Sequence, residues 1–249
     1  MSEKIFAGRT ALVTGGARGI GRATCEMLAK AGARVAINYA QNEEAAHECL
    51  RLVERDASQA MLARADVSRP DEVQRMVDDV TKQLGAIDLL VNNAGIAATV
   101  SHDQLTFEAW RRMFEINLDG PFLTTWAVKQ SMIERGYGRI VNVSSIAGIE
   151  LKSRMIHYAV TKAALISFTR NCAEALAPHN VRVNCVAPGL TNTDLAKSAN
   201  PGLVNEIISI TPMGRMAEPE EIASVIRFLL SDESSFVTGQ TVAACGGRT

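Results

Sequence analysis

No block of like charge runs through this 249-residue sequence, whose 26 basic and 27 acidic residues leave a net charge of −1. Nucleic-acid footprints and polybasic membrane patches both need clustered cations, so neither partner is expected. No stretch approaches the roughly 18 apolar residues of a membrane-spanning helix. Met1–Phe6 lacks the apolar core of a secretory signal. The five cysteines, Cys25, Cys49, Cys172, Cys185 and Cys245, are scattered, and none forms a C-x-x-C pair. Neither they nor His47, His102, His157 and His179 show ligand spacing, so no metal site is predicted. The thiols read as buried and reduced, which places the chain in the cytoplasm. Repeats, linkers and low-complexity segments are also missing. With 47% hydrophobic residues, one domain spanning 1–249 is expected.

What is present is an alternation of short apolar runs and longer helical patterns. The runs are Thr10–Gly15, Arg34–Tyr39, Ala60–Ala65, Ile87–Asn92, Arg139–Ser144, Arg182–Ala187 and Thr241–Ala244. They are rich in Val, Ile, Leu and Ala without strict alternation, as strands covered on both faces are. Helical patterns lie near 19–31, 42–56, 70–84, 103–118, 121–135, 158–177 and 219–231. The order predicts an α/β fold: one Rossmann-type doubly wound domain, a seven-stranded parallel sheet with helices on both faces. Pro188 to Met216 reads as a long irregular loop, which in a compact domain is functional or mobile.

Two patterns carry chemistry. After the first strand comes Thr14-Gly15-Gly16-Ala17-Arg18-Gly19-Ile20-Gly21, where glycines permit positive φ and close backbone approach. The helix that follows offers free N–H groups to a phosphate. The second pattern is Tyr158-Ala159-Val160-Thr161-Lys162, which puts a phenol and an ammonium on one helix face. A nearby positive charge is expected to lower the phenol pKa and fit it for proton transfer. Ser145 closes the preceding apolar run with a hydroxyl, and alternation turns Ser144 the other way.

The spacing of the glycine turn resembles that of the short-chain dehydrogenase/reductase family. Asp66-Val67, Asn92-Asn93-Ala94-Gly95, Asn117, the Ser145/Tyr158/Lys162 set and Pro188-Gly189 match further family motifs, so the resemblance covers nearly the whole chain. Within the family the sequence is most similar to bacterial 3-oxoacyl-(acyl-carrier-protein) reductases and their relatives. The resemblance implies that Gly15, Gly19, Ile20 and Gly21 line the pyrophosphate of a nicotinamide dinucleotide. It assigns Asp66 and Val67 to the adenine, and Asn93, Ala94 and Gly95 to the adenosine side. Pro188, Gly189 and Thr191 fall to the nicotinamide carboxamide. Tyr158 becomes the proton donor and Ser145 the carbonyl-polarising donor. Lys162 lowers the tyrosine pKa and holds the nicotinamide ribose, and Asn117 anchors a water on a proton path through Lys162.

The second strand ends Asn38-Tyr39-Ala40-Gln41, without the acid that NAD-users place there. Arg18 can pair with a 2′-phosphate. Both favour NADPH, while Asn38 can hydrogen-bond either cofactor. The residues between Ser145 and Tyr158, which normally face substrate in this family, include Glu150, Lys152, Arg154, Met155 and His157. A solvated loop is the preferred reading of Lys152 and Arg154. Acyl-carrier-protein docking positions of the family hold Gly136 and His179 here, which weakens that partner without removing it. Cys245-Gly246-Gly247 departs from the commoner Asp-Gly-Gly or Asn-Gly-Gly. By resemblance the helices over 103–135 and 158–177 form a homotetramer. The expected activity is NADPH-dependent carbonyl reduction, with 3-oxoacyl thioesters the first substrate. An alcohol, sugar or steroid dehydrogenase and a dinucleotide-sensing regulator are the alternatives.

Overall fold

In the computed structural model, which describes residues 4–197 and 200–249, seven parallel strands form one sheet. They are β1 (Thr10–Val13), β2 (Arg34–Tyr39), β3 (Ala60–Arg64), β4 (Leu89–Asn92), β5 (Gly138–Val143), β6 (Val181–Pro188) and β7 (Thr241–Ala244), in the order β3-β2-β1-β4-β5-β6-β7. The helices are α1 (Gly19–Lys30), α2 (Glu43–Val53), α3 (Pro70–Leu84), α4 (Phe107–Phe114), α5 (Gly120–Arg135), α6 (Ile156–Leu176), α7 (Asp194–Lys197), α8 (Pro201–Ser209) and α9 (Pro219–Leu230).

Successive strand residues supply opposite core layers, which is why the apolar runs do not alternate. Ala11, Val13, Val35, Ile37, Val91 and Val141 pack with Leu28 of α1, Cys49 of α2 and Ile226 of α9. Leu12, Ala36, Leu90, Ile140 and Val183 pack on the other face with Val77 of α3, Met132 of α5 and Cys172 of α6. Each such fully buried Leu or Ile contributes about 1.5–3 kcal/mol relative to exposure.

Several boundaries differ from expectation, each for a local reason. β1 stops at Val13 because Gly15 turns to φ +60°. α4 starts at Phe107 rather than 103, where the Thr106 hydroxyl accepts from the Ala109 N–H at 3.2 Å. A π turn over Glu115–Asp119 then joins α4 to α5. The segment expected to be irregular holds α7 and α8. Asn200 caps α8 by accepting from the Gly202 N–H at 2.8 Å, and Pro201 sits at its first position.

The chain leaves β1 toward β2 on one side and returns as β4 on the other. Such a reversal opens a crevice beyond the carboxyl ends of the strands. The glycine turn after β1 and the Asn92–Gly95 segment after β4 both lie there.

Candidate active site

The glycine turn is built as a backbone cradle. Gly15 and Gly19 take φ +60° and +54°, a region costly for other residues. A Cβ on Gly21 would lie 2.2 Å from the Gly15 carbonyl oxygen, so the first turn of α1 packs on the loop only without a side chain. The Asn38 side chain holds the turn from below. It accepts from the Gly15 N–H (3.1 Å) and donates to the carbonyls of Ala63 and Ala65, both at 3.0 Å. Asn38 is thus committed to the framework, because both its amide hydrogens are used within the protein. Asn93 is engaged in the same way, donating to the Thr14 and Gly15 carbonyls at 3.0 Å. The thiols of Cys25 and Cys49 lie at 3.8 and 3.4 Å from the Gly16 carbonyl. All five cysteines are free and buried.

α1 differs at its start from α2, α3 and α9, and shares with α5 and α6 the lack of a first-turn acid and of a side-chain cap. α2, α3 and α9 carry acidic residues in their first turns; α1 has none, and no side chain caps it. Its N–H groups and dipole are left for an anion. The Arg18 guanidinium stands 3.8 Å from the Asp194 carboxylate, with both side chains exposed.

Beyond β3, Asp66 accepts from the Ser68 N–H (2.9 Å) and hydroxyl (2.6 Å), and its second oxygen pairs with Arg112 at 3.3 Å. Partial burial would raise the Asp66 pKa, but these bonds outweigh it and hold the carboxyl below its ordinary value. Val67 braces the start of α5: a Cβ on Gly120 would lie 2.8 Å from Val67 Cγ2.

β5, α6 and the π turn bring the four expected catalytic residues to one place. Ser145 Oγ accepts from the Ala147 N–H at 3.1 Å and is near enough to Tyr158 to pull the phenol pKa down in part. Ser144 turns away, as alternation predicts, and donates to the Lys162 carbonyl at 2.8 Å. Gly148 permits this closeness, since a Cβ there would sit 2.6 Å from the Lys162 carbonyl carbon. Lys162 Nζ is buried, donates to the Val143 carbonyl (2.9 Å) and lies 5.7 Å from the Tyr158 ring centre. Asn117 exchanges two 2.9 Å bonds with the Ile96 backbone and donates to Thr161 Oγ1 at 3.3 Å. Gly95 lies between them: its Cβ position is 3.2 Å from Asn117 Oδ1 and 3.6 Å from Lys162 Nζ.

The expected depression of the phenol pKa is not found in this state. Burial raises the Tyr158 pKa, and the Ser145 hydrogen bond only partly opposes it. The ammonium is itself penalised by burial, which pushes Lys162 down to about 8. Nor does His157 face an open cleft. It is 1% exposed, and burial lowers its pKa. Lys152 is not a solvated cation either, since it pairs with Glu150.

Beyond β6, the Gly189 N–H donates to the Ala244 carbonyl at 2.9 Å, and Thr191 donates to the Gly189 carbonyl at 3.1 Å. The next residues reach the glycine turn, with Thr193 Cγ2 3.0 Å from the Cβ position of Gly19. The crevice therefore joins the glycine turn, the Asp66 segment, the Ser145/Tyr158/Lys162 set and the Pro188–Thr191 segment.

A family model described as enoyl-(acyl carrier protein) reductase matches residues 15–249. The chain belongs to the short-chain dehydrogenase/reductase family. It is 38% identical over 240 residues to a 3-oxoacyl-(acyl-carrier-protein) reductase of Synechocystis, covering 96% of each chain. It is 39% identical over 244 residues to an acetoacetyl-CoA reductase of Rhizobium meliloti, covering 96% of this chain and 98% of the relative. A crystal structure of a 3-oxoacyl-(acyl-carrier-protein) reductase with bound NAD, from Brucella melitensis, superposes with a TM-score of 0.90. That match has 38% identity and covers 98% of this chain and 92% of that one.

A short-chain dehydrogenase/reductase is an oxidoreductase that acts on a carbonyl or hydroxyl group and takes a nicotinamide dinucleotide. The cradle fits that group: Gly15 and Gly21 pack on Ala94 and on the Gly15 carbonyl too closely for any Cβ, which leaves main chain at the turn, and α1 presents an uncapped start. Sequence reasoning gave the direction of Ser144 but missed its partner, the Lys162 carbonyl, and missed Gly148, Thr161 and Arg112 as supports of this site. Of these only Gly148 carried a signal, as a glycine just beyond Ser145.

Proposed function

We propose that this chain is an NADPH-dependent reductase of 3-oxoacyl thioesters. The carrying observation is the constellation of half-buried Ser145 and Tyr158, whose side chains are close enough to interact, with the buried Lys162 on the next turn of the same helix. In this reading Ser145 donates a hydrogen bond to the substrate carbonyl and fixes its position. Tyr158 gives its proton to the developing alkoxide, and the raised phenol pKa keeps that proton in place until charge develops. Lys162 holds the ribose and favours the phenolate, and Asn117 steadies the Gly95–Ile96 turn beside it. When bound, the reduced nicotinamide supplies the hydride. Gly15, Gly19, Ile20 and Gly21 hold the pyrophosphate. Asp66 and Val67 hold the adenine, Asn93, Ala94 and Gly95 the adenosine side, and Pro188, Gly189 and Thr191 the carboxamide.

The thioester reading is supported by the names of the relatives and by apolar side chains on the segments that flank the crevice. Ile149, Leu151, Ile210 and Met213 are all exposed, a surface suited to an acyl chain. NADPH over NADH is supported by Arg18 and by the missing acid at the end of β2. Phe122, Trp126 and Phe168 cluster on α5 and α6, with ring centres 4.5–6.4 Å apart. Phe122 and Trp126 are exposed, which supports a homotetramer assembled on that face. We also read the chain as one functional unit and as cytoplasmic, with an acyl carrier protein as a carrier of substrate.

The test is oxidation of NADPH and NADH against a carbonyl panel led by acetoacetyl-CoA, with wild type and Arg18→Ala. The reading expects thioester turnover that prefers NADPH, and a loss of about tenfold in that preference in the variant, one charge-assisted contact. Turnover of a sugar or steroid with no thioester activity would overturn the substrate assignment. An unchanged cofactor ratio would overturn the role of Arg18.

A further inference from the structure

After β7 the backbone turns through Cys245–Thr249, with Gly246 and Gly247 at φ +65° and +89°. This turn touches three walls of the crevice. A Cβ on Gly189 would lie 2.9 Å from Cys245 Cα, so the turn backs the Pro188–Gly189 segment. The Gly246 carbonyl accepts from the Met213 N–H at 3.1 Å, and the Cβ position of Gly247 is 3.1 Å from Pro212 Cγ. Both contacts fall just beyond the end of α8. The third contact is an ion pair. Arg248 Nη2 donates to Glu150 Oε2 at 2.8 Å, joining residues 98 positions apart.

Glu150 stands in the loop between Ser145 and Tyr158. The Arg248 side chain is 8% exposed and that of Glu150 21%. Lys152 pairs with the same Glu150 oxygen. Exposed ion pairs contribute little, but removing one partner of a buried pair leaves a poorly solvated charge that must move. Here the movable part is the 146–155 loop, which leads directly into α6 and Tyr158.

We propose that Arg248 is a positioning residue: through Glu150 it sets the loop Ile146–Met155, and thereby how tightly substrate, but not cofactor, is held. The inference rests on the reductase reading for its substrate, and its structural half is read without one.

The experiment combines kinetics with amide hydrogen exchange on Arg248→Met, Glu150→Gln, Arg248→Lys and the charge swap Arg248→Glu/Glu150→Arg, the swap and its single variants made in a Lys152→Gln background that removes the cation otherwise facing the new arginine. Arg248→Met is expected to raise the KM for acetoacetyl-CoA about tenfold, the scale of a coupled buried pair. Its kcat and NADPH affinity stay near wild type, and residues 146–155 lose exchange protection. Glu150→Gln breaks the pair from the other end and gives the same pattern, even if Arg248→Met folds poorly. Arg248→Lys retains most of the wild-type KM, and the swap recovers both KM and protection. An unchanged KM in Arg248→Met, or a swap no better than its single variants, would overturn the proposal. A wild type inactive on thioesters would sink the reductase reading instead. Exchange, and the KM for whichever carbonyl the panel finds, would then decide the role of Arg248.

Discussion

The region around β1 and β2 and the region around β5 and α6 commit their polar side chains in opposite ways. Near β1, Thr14 accepts from the Asn93 and Ala94 N–H groups, and Asn38 and Asn93 are bonded to backbone throughout. Those side chains shape a loop whose working surface is main chain. Near β5, the Ser145 hydroxyl lies beside the Tyr158 side chain, and Lys162 makes a single hydrogen bond through its ammonium. The working surface there is side chain. A backbone cradle binds phosphate whatever side chains surround it, provided no Cβ intrudes. A side-chain site reacts only if the individual groups keep their identity and protonation.

The comparison would break most sharply at Tyr158. Tyr158→Phe is expected to lower kcat on a carbonyl substrate by about 100-fold or more, the contribution of a positioned general acid. NADPH affinity, measured by fluorescence titration, should stay within a few-fold of wild type. Residual turnover above a tenth of wild type would remove Tyr158 as proton donor.

Gly21→Ala tests the other region. Its methyl group meets the Gly15 carbonyl at a distance no packing tolerates. A destabilisation of roughly 1–3 kcal/mol in urea unfolding should accompany weak cofactor binding. Wild-type affinity in this variant would contradict the cradle.

A gentler test is pH. With its pKa pushed down to about 8 by burial, Lys162 loses its proton in the cofactor-free protein as pH rises through that value. NADPH affinity should therefore fall between pH 7 and 9 in wild type, with a flatter profile in Lys162→Met. The sign for stability is opposite. The folded state gives up this proton more readily than the unfolded chain, so the burial penalty eases as pH rises from about 8 toward 10.5.

Much of this was legible in the sequence because local signals coincide with structural ones. Arg34–Tyr39, Pro70–Leu84 and Thr241–Ala244 match residue for residue: turn residues bound the strands, and an early proline with first-turn acids marks α3. The glycine turn and the Tyr158/Lys162 step were readable because their spacing is itself the chemistry. α8 was not read, since prolines and glycines dominate Pro188 to Met216, although Asn200-Pro201 is a helix start. The boundary between the helices read near 103–118 and 121–135 was legible, but the π turn through Asn117 that joins them was not. Asn38 looked like a ligand contact because an exposed and a backbone-bonded asparagine are identical in sequence. The partner of Ser144 and the roles of Gly148 and Arg248 depend on contacts across long separations, which no local pattern records.

The most direct test of the division between binding and reacting regions is one paired measurement: the NADPH dissociation constant and the kcat at saturating cofactor, for Tyr158→Phe and Asn38→Ala side by side. Removing the Asn38 amide takes three hydrogen bonds from the Gly15 N–H and the Ala63 and Ala65 carbonyls, at about 1–3 kcal/mol for each group left unpaired. The account predicts a crossed result: Tyr158→Phe binds NADPH like wild type and hardly turns over, whereas Asn38→Ala binds weakly and, once saturated, turns over near the wild-type rate. If binding and turnover fall together in both variants, the two regions are not separate and the account is wrong.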